Sequence, residues 1–192
     1  MSDSSLGDAE RCPRCLFVGR ACVCAAIPRV DTRTRVVIVR HHLERFRSSN
    51  SGRLAHLALP NSELVDYGGR EPAQPALPRD GAWLLFPEGA EARVAPTPPP
   101  RALIVLDATW SQARRMYRKL EALRGLPTLR LPDDTPLAAA RMRESPGAGR
   151  VSTLEAIAAA LRLLEGDAAA DPLDALFAAA VTAAGVLGRR TG

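Results

Sequence analysis

Short apolar runs recur along this chain, separated by polar or proline-rich segments. Arg35 to Arg40 (Arg-Val-Val-Ile-Val-Arg) is continuously apolar between charged ends, the pattern of a strand buried on both faces. Ala82 to Phe86 and Ala102 to Leu106 repeat it, and Leu64 to Tyr67 and Thr128 to Leu131 are shorter candidates. Helical spacing falls between them. Ser49 to Leu59 sets Leu54, Leu57 and Ala58 on one side and stops at Pro60. Trp110 to Leu123 carries the stripe Trp110, Ala113, Tyr117 and Leu120, opposed by Arg114, Arg115, Arg118 and Lys119. Ser152 to Glu165 turns Leu154, Ile157, Ala158, Leu161 and Leu164 inward, and an Ala-rich helix is predicted over 172–187. Residues 95–100 hold four prolines and read as a surface connection. Strands alternating with helices predict an α/β domain with a largely parallel sheet.

Composition sharpens this picture in two places. The chain has 192 residues and is 46% apolar, enough for one core of ordinary size, and no apolar run is long enough to cross a membrane. The net charge is +5, and seven arginines fall between Arg29 and Arg53 against Asp31 and Glu44. A basic N-terminal half suits a polyanionic partner such as nucleic acid, although with Lys119 the only lysine the arginine content also reads as a compositional bias.

All four cysteines lie in the first 24 residues, as Cys12-Pro-Arg-Cys15 and Cys22-Val-Cys24. Two close pairs on one loop suit a tetrahedral Zn²⁺ site, and four thiolates would close the coordination shell, making the metal structural. A redox-active CxxC is the competing reading. No apolar leader precedes them, so a reducing compartment is expected. Residues 1–28 read as a tail and knuckle, and 29–192 as the main domain.

Candidate chemistry lies beyond the carboxyl ends of the strands, where open parallel sheets bind ligands. Phe86-Pro87-Glu88-Gly89 and Asp107-Ala108-Thr109-Trp110 are the two such ends, and neither forms a dinucleotide or nucleotide phosphate loop. Asp107 reads either as a helix N-cap, a task Thr109 could share, or as a working carboxylate. Ser152-Thr153-Leu154-Glu155 is a capping box whose free N–H groups would also attract an anion. His41, His42 and Glu44 follow the first strand, but adjacent histidines point apart and make a poor metal site.

The run Leu103 to Met116, with Asp107-Ala108-Thr109-Trp110 at its centre, resembles the signature of the DTW-domain family. The cysteine knuckle, Asn50-Ser51-Gly52-Arg53-Leu54, Leu85-Phe86-Pro87 and Ser152-Thr153-Leu154-Glu155 occur in the order that family shows. The resemblance covers about residues 11–165. It implies a SPOUT-like knotted fold and a cytoplasmic tRNA-uridine aminocarboxypropyltransferase, with S-adenosylmethionine as donor and N3 of uridine as acceptor; it leaves the oligomeric state open between a SPOUT-type dimer and a monomer, the form the knuckle favours. It further implies Asp107 as the catalytic carboxylate. Leu85, Phe86, Pro87, Thr109, Trp110, Ser152, Thr153 and Glu155 would line the cofactor site, and Cys12, Cys15, Cys22 and Cys24 would hold zinc. Arg45, Arg47, Arg53, Arg114, Arg115 and Arg143 are the candidate tRNA contacts. The rival readings are a SPOUT-like RNA methyltransferase, a non-enzymatic zinc-knuckle RNA-binding protein and a thiol-redox protein.

Overall fold

The apolar runs become strands. In the computed structural model, which describes residues 10–69, 74–89, 91–135 and 151–188, β1 spans Arg35–His41, β2 Ser62–Tyr67, β3 Ala82–Leu85, β4 Ala102–Asp107 and β5 Thr128–Leu129. All neighbours pair in parallel, in the order β2-β1-β4-β3-β5. β1 and β4 are therefore central, which is why their sequences are apolar at consecutive positions. Val36 and Ile38 pack on one face of the sheet, and Val37 and Val39 on the other.

The helices divide between those faces. The helices α1 (Ser51–Ala58), α3 (Thr153–Glu165) and α4 (Asp167–Gly188) cover one side, and α2 (Trp110–Lys119) covers the other with Ala113 and Met116. The predicted helix over 110–123 is shorter: Leu120 leaves the helical conformation, and a separate turn follows at Glu121–Leu123. The last helix begins earlier than its sequence pattern implied and runs through Pro172. Two contacts fix that start. Gly166 turns the chain with φ 93°, and Arg162 reaches from α3 to Asp167, Asp171 and Asp174. The short strand β5 ends at Leu129 instead of Leu131, and Asp107 is the last residue of β4 instead of the first of a turn.

The cysteine knuckle is built onto the helical face. Cys12, Cys15, Phe17, Ala21 and Val23 are buried in the same apolar cluster as α1, α3 and α4. At the far end of α3, Glu165 ties that layer to the entrance of β1, accepting from Thr34 N–H at 2.7 Å and Arg33 N–H at 3.0 Å. Burial pushes the Glu165 carboxyl up, but those N–H groups outweigh it and hold its pKa below the usual glutamate value.

A depressed folded-state pKa contributes stability that is present above the unfolded value of 4.5 and is lost as pH falls through the folded value. Glu165→Gln is therefore expected to cost about 1–2 kcal/mol at pH 7. Urea unfolding should show that gap closing below pH 4.5. A gap that persists unchanged in acid would contradict the assignment.

Candidate functional site

The carboxyl end of β4 carries a buried carboxylate. Asp107 is 4% exposed, on the face of the sheet occupied by α1 and α3. It is not the cap of α2: Thr109 is, and Gln112 Oε1 accepts from the Thr109 N–H at 2.8 Å. Both carboxylate oxygens of Asp107 are held by neutral donors. Asn50 Nδ2 donates to Oδ2 at 2.5 Å, and Thr153 Oγ1 donates to Oδ1 at 2.7 Å. Asn50 is itself fixed as the N-cap of α1, accepting from Arg53 N–H at 2.9 Å. Ser51 Oγ accepts from the N–H of Leu154 at 3.4 Å, a second link between the starts of α1 and α3.

Strand register sets the charges nearby. Arg40 lies opposite Asp66 on one side and Asp107 on the other, so the three side chains project to one face. The buried Arg40 donates from Nε to Asp66 Oδ1 at 2.7 Å and makes no such bond to Asp107. Burial raises the Asp107 pKa. The Thr153 and Asn50 hydrogen bonds oppose it, the Glu44 charge adds to it, and the Arg40 charge offsets it in part. The space around the carboxylate is closed by Gly52, since a Cβ built there would lie 2.5 Å from Asp107 Cγ.

Beside this cluster opens a cleft of about 290 Å³ at the carboxyl ends of β3, β4 and β5. Leu85, Phe86 and Pro87 form one wall, and Leu106, Ala108 and Trp110 another. The loop after β5 contributes Arg130 to Asp133 and Thr135, and the start of α3 contributes Ser152 and Thr153. Arg130 is turned back onto Asp133, at 2.8 and 3.0 Å. Of the residues expected here, Leu85, Phe86, Pro87, Trp110, Ser152 and Thr153 do line the cleft. Thr109 and Glu155 are instead capping residues of α2 and α3. Asp107 is not on the wall; Thr153, its hydrogen-bond partner, is. Sequence reading missed the loop after β5, whose signal was its place beyond a short strand, and Gly52, whose role shows only in three dimensions.

The four cysteines converge. Cys12 Sγ lies 3.5 Å from Cys24 Sγ, Cys15 Sγ lies 3.6 Å from Cys22 Sγ, and all four sulfurs fall within 4.8 Å of one another. A tetrahedron of sulfurs around zinc has edges of about 3.8 Å, so the set fits a metal ion of that kind. Burial pushes the Cys12 thiol up, yet the backbone N–H groups of Cys15 and Arg14 and the neighbouring thiols bring it down to about 6.

The candidate tRNA contacts are not equivalent. Arg114 and Arg115 are exposed on α2, and Arg45 and Arg47 are exposed on the loop after β1. Arg53 is half-buried and braces that loop, Nη2 donating to the Arg45 carbonyl at 3.0 Å. Arg143 lies outside the described residues. His41 accepts from Leu43 N–H through Nδ1, and among the described residues the cysteines are the one grouping suited to a metal.

The class these features define is a parallel α/β domain with a cleft at its strand ends and a four-thiol knuckle on one face. The chain belongs to the DTW-domain family, whose model matches residues 9–184. It is similar to tRNA-uridine aminocarboxypropyltransferase 2 of Drosophila melanogaster, 27% identical over 81% of this chain and 67% of the relative. It is likewise similar to tRNA-uridine aminocarboxypropyltransferase A of Arabidopsis thaliana, 27% identical over 81% of this chain and 73% of the relative. Tests against solved structures returned no match.

Two substitutions separate the roles inside the Asp107 cluster. A raised folded-state pKa means that the ionised carboxylate loses stability as pH rises through the folded value. Asp107→Asn can keep both hydrogen bonds, its amide donating to Thr153, so the variant should melt no lower than the native chain at pH 7. Gly52→Ala would gain up to about 1 kcal/mol of helix propensity on an unobstructed helix. Against the carboxylate it should instead lose about 1–3 kcal/mol by overpacking. Thermal melts at pH 7 check both, and a stabilised Gly52→Ala would contradict the packing.

Proposed function

We propose that this protein transfers the 3-amino-3-carboxypropyl group of S-adenosylmethionine to N3 of a uridine in tRNA, releasing 5′-methylthioadenosine. The observation that carries the reading is the cleft at the ends of β3, β4 and β5, backed through Thr153 by a buried carboxylate, in a chain similar to proteins named tRNA-uridine aminocarboxypropyltransferases. The apolar walls from Leu85–Pro87, Leu106 and Trp110 suit an adenine ring, and the polar edge at Ser152 and Thr153 suits an amino-acid arm. When bound, the donor supplies a methylene carbon made electrophilic by its sulfonium. Leu85, Phe86, Pro87, Trp110, Ser152 and Thr153 orient that carbon, so that the arm and not the methyl group faces the nucleobase. Thr109 and Glu155 serve the same site indirectly, by fixing the helix starts.

Uridine N3 carries a proton that must leave as the new bond forms. In this reading Thr153 Oγ1 takes the proton at the cleft wall and passes its own to Asp107 Oδ1, 2.7 Å away. Burial, which raises the Asp107 pKa, makes it the stronger base. Arg45, Arg47, Arg114 and Arg115 track the phosphate backbone. The SPOUT-like knot belongs to the same reading. So do a cytoplasmic location, a monomer as the working form, and a knuckle over 1–28 appended to a catalytic domain over 29–192.

The test uses S-adenosylmethionine labelled separately in the methyl group and in the aminocarboxypropyl arm, with unmodified tRNA. Arm label should enter tRNA and methyl label should not. Asp107→Asn and Thr153→Val should each lower transfer by at least about 100-fold, the usual worth of a positioned acid–base group. Methyl transfer would instead mark a methyltransferase, tRNA binding without any transfer would mark an RNA-binding protein, and full turnover in Asp107→Asn would remove Asp107 from the chemistry.

The cysteine set is proposed to hold one structural Zn²⁺. Elemental analysis should find one zinc per chain. Because Cys12 and Cys15 sit in the main apolar cluster, a chelator that strips the metal should lower the melting temperature of the whole chain. Metal-free protein with unchanged melting would contradict this.

A further inference from the structure

The loop between β1 and α1 holds a feature that the proposed chemistry does not use. Phe46 is 75% exposed and Leu43 57% exposed, on the loop that leaves the carboxyl end of β1. A single exposed apolar side chain is ordinary on a protein surface. Phe46 differs because of what surrounds it. The guanidinium of Arg45 lies 5.3 Å from its ring centroid, and Arg47 follows it in the chain with its side chain 54% exposed.

The loop that presents the ring is braced from below. Arg45 reaches Asp66 at 3.6 Å, Arg47 reaches the buried Glu44 at 3.5 Å, and Arg53 holds the Arg45 carbonyl. The Asn50 N–H donates to the Arg47 carbonyl at 3.1 Å, and Asn50 in turn holds Asp107. Phe46 therefore shares one braced loop with Asn50, the residue that holds the carboxylate behind the cleft. An aromatic ring with a cation beside it, flanked by arginines, is the composition of a surface that stacks an unpaired nucleobase.

We propose that Phe46 is a stacking platform for an unstacked base of the substrate RNA, next to the uridine delivered to the cleft. The proposal rests on the tRNA-modifying reading above and deepens it: the substrate uridine would sit in a single-stranded loop, where bases can be splayed onto aromatic side chains. Arg45 backs the ring, and Arg45 and Arg47 take the adjoining phosphates.

The experiment measures binding of an unmodified tRNA transcript to the full chain across a salt series. The native chain is compared with Phe46→Ala, Phe46→Leu, Phe46→Trp and Arg45→Gln. Stacking predicts that Phe46→Ala weakens binding about 5- to 140-fold with the salt slope unchanged. Phe46→Leu should behave like Phe46→Ala, and Phe46→Trp like the native chain. Arg45→Gln should lower the salt slope by about one. Since the ring is exposed, all Phe46 variants should melt with the native chain. Native affinity in Phe46→Ala, or full recovery in Phe46→Leu, would overturn the platform while leaving the transfer reading intact. A native chain that neither binds nor modifies tRNA would overturn both. A Phe46→Ala change in the size-exclusion profile would assign the ring to contact between copies of the chain and also overturn the platform.

Discussion

One buried carboxylate organises this protein. Asp107 ends a central strand and is buried, and its oxygens are met by an amide and a hydroxyl instead of a cation. Moving a charge out of water costs more than two neutral hydrogen bonds return, which is why burial dominates its raised pKa. Arg40, the nearest guanidinium in the strand register, is directed at Asp66. The arrangement found keeps Asp107 basic and ties it to Thr153 on the cleft wall. The same constraint fixes its neighbours: Asn50 must cap α1, residue 52 must lack a side chain, and α3 must begin at a hydroxyl-bearing pair.

The sheet separates two kinds of work. The face under α1, α3 and α4 holds the larger apolar cluster, and the cysteine knuckle packs into that same cluster. The opposite face carries α2, whose Ala113 and Met116 pack inward while Arg114 and Arg115 stay in solvent. The carboxyl edge of the sheet joins the two, and the cleft, the loop bearing Phe46 and the first turn of α2 all open there. The family match over residues 9–184 spans the knuckle and the sheet together.

Much of the fold was legible because its signals are local. Arg35 to Arg40 and Ala102 to Leu106 are too apolar to be anything but central strands, and the Ser152–Glu155 capping box marked the start of α3 to the residue. Helix ends were less legible where tertiary contacts decide them. The stripe of α2 continued past Lys119, but Leu120 turns in to fill the core; the clamp from Arg162 carried α4 back beyond Pro172. For the site, the motifs pointed to a carboxylate that lies buried behind the cleft and to six of the residues that line it. They did not reveal that the carboxylate faces Asn50 and Thr153, because Asn50 lies 57 residues and Thr153 46 residues away along the chain. Gly52 had no sequence signal of its own, since a glycine in a helix reads as a weakness until the atom it makes way for is known.

The most direct test is a crystal structure of the chain with S-adenosylmethionine bound. The account predicts the donor in the cleft between Leu85–Pro87 and Ser152–Thr153, its amino-acid arm nearest Thr153, with Asp107 still accepting from Thr153 and Asn50. A donor bound elsewhere, or one whose methyl group points at Thr153 while the arm points to solvent, would contradict it.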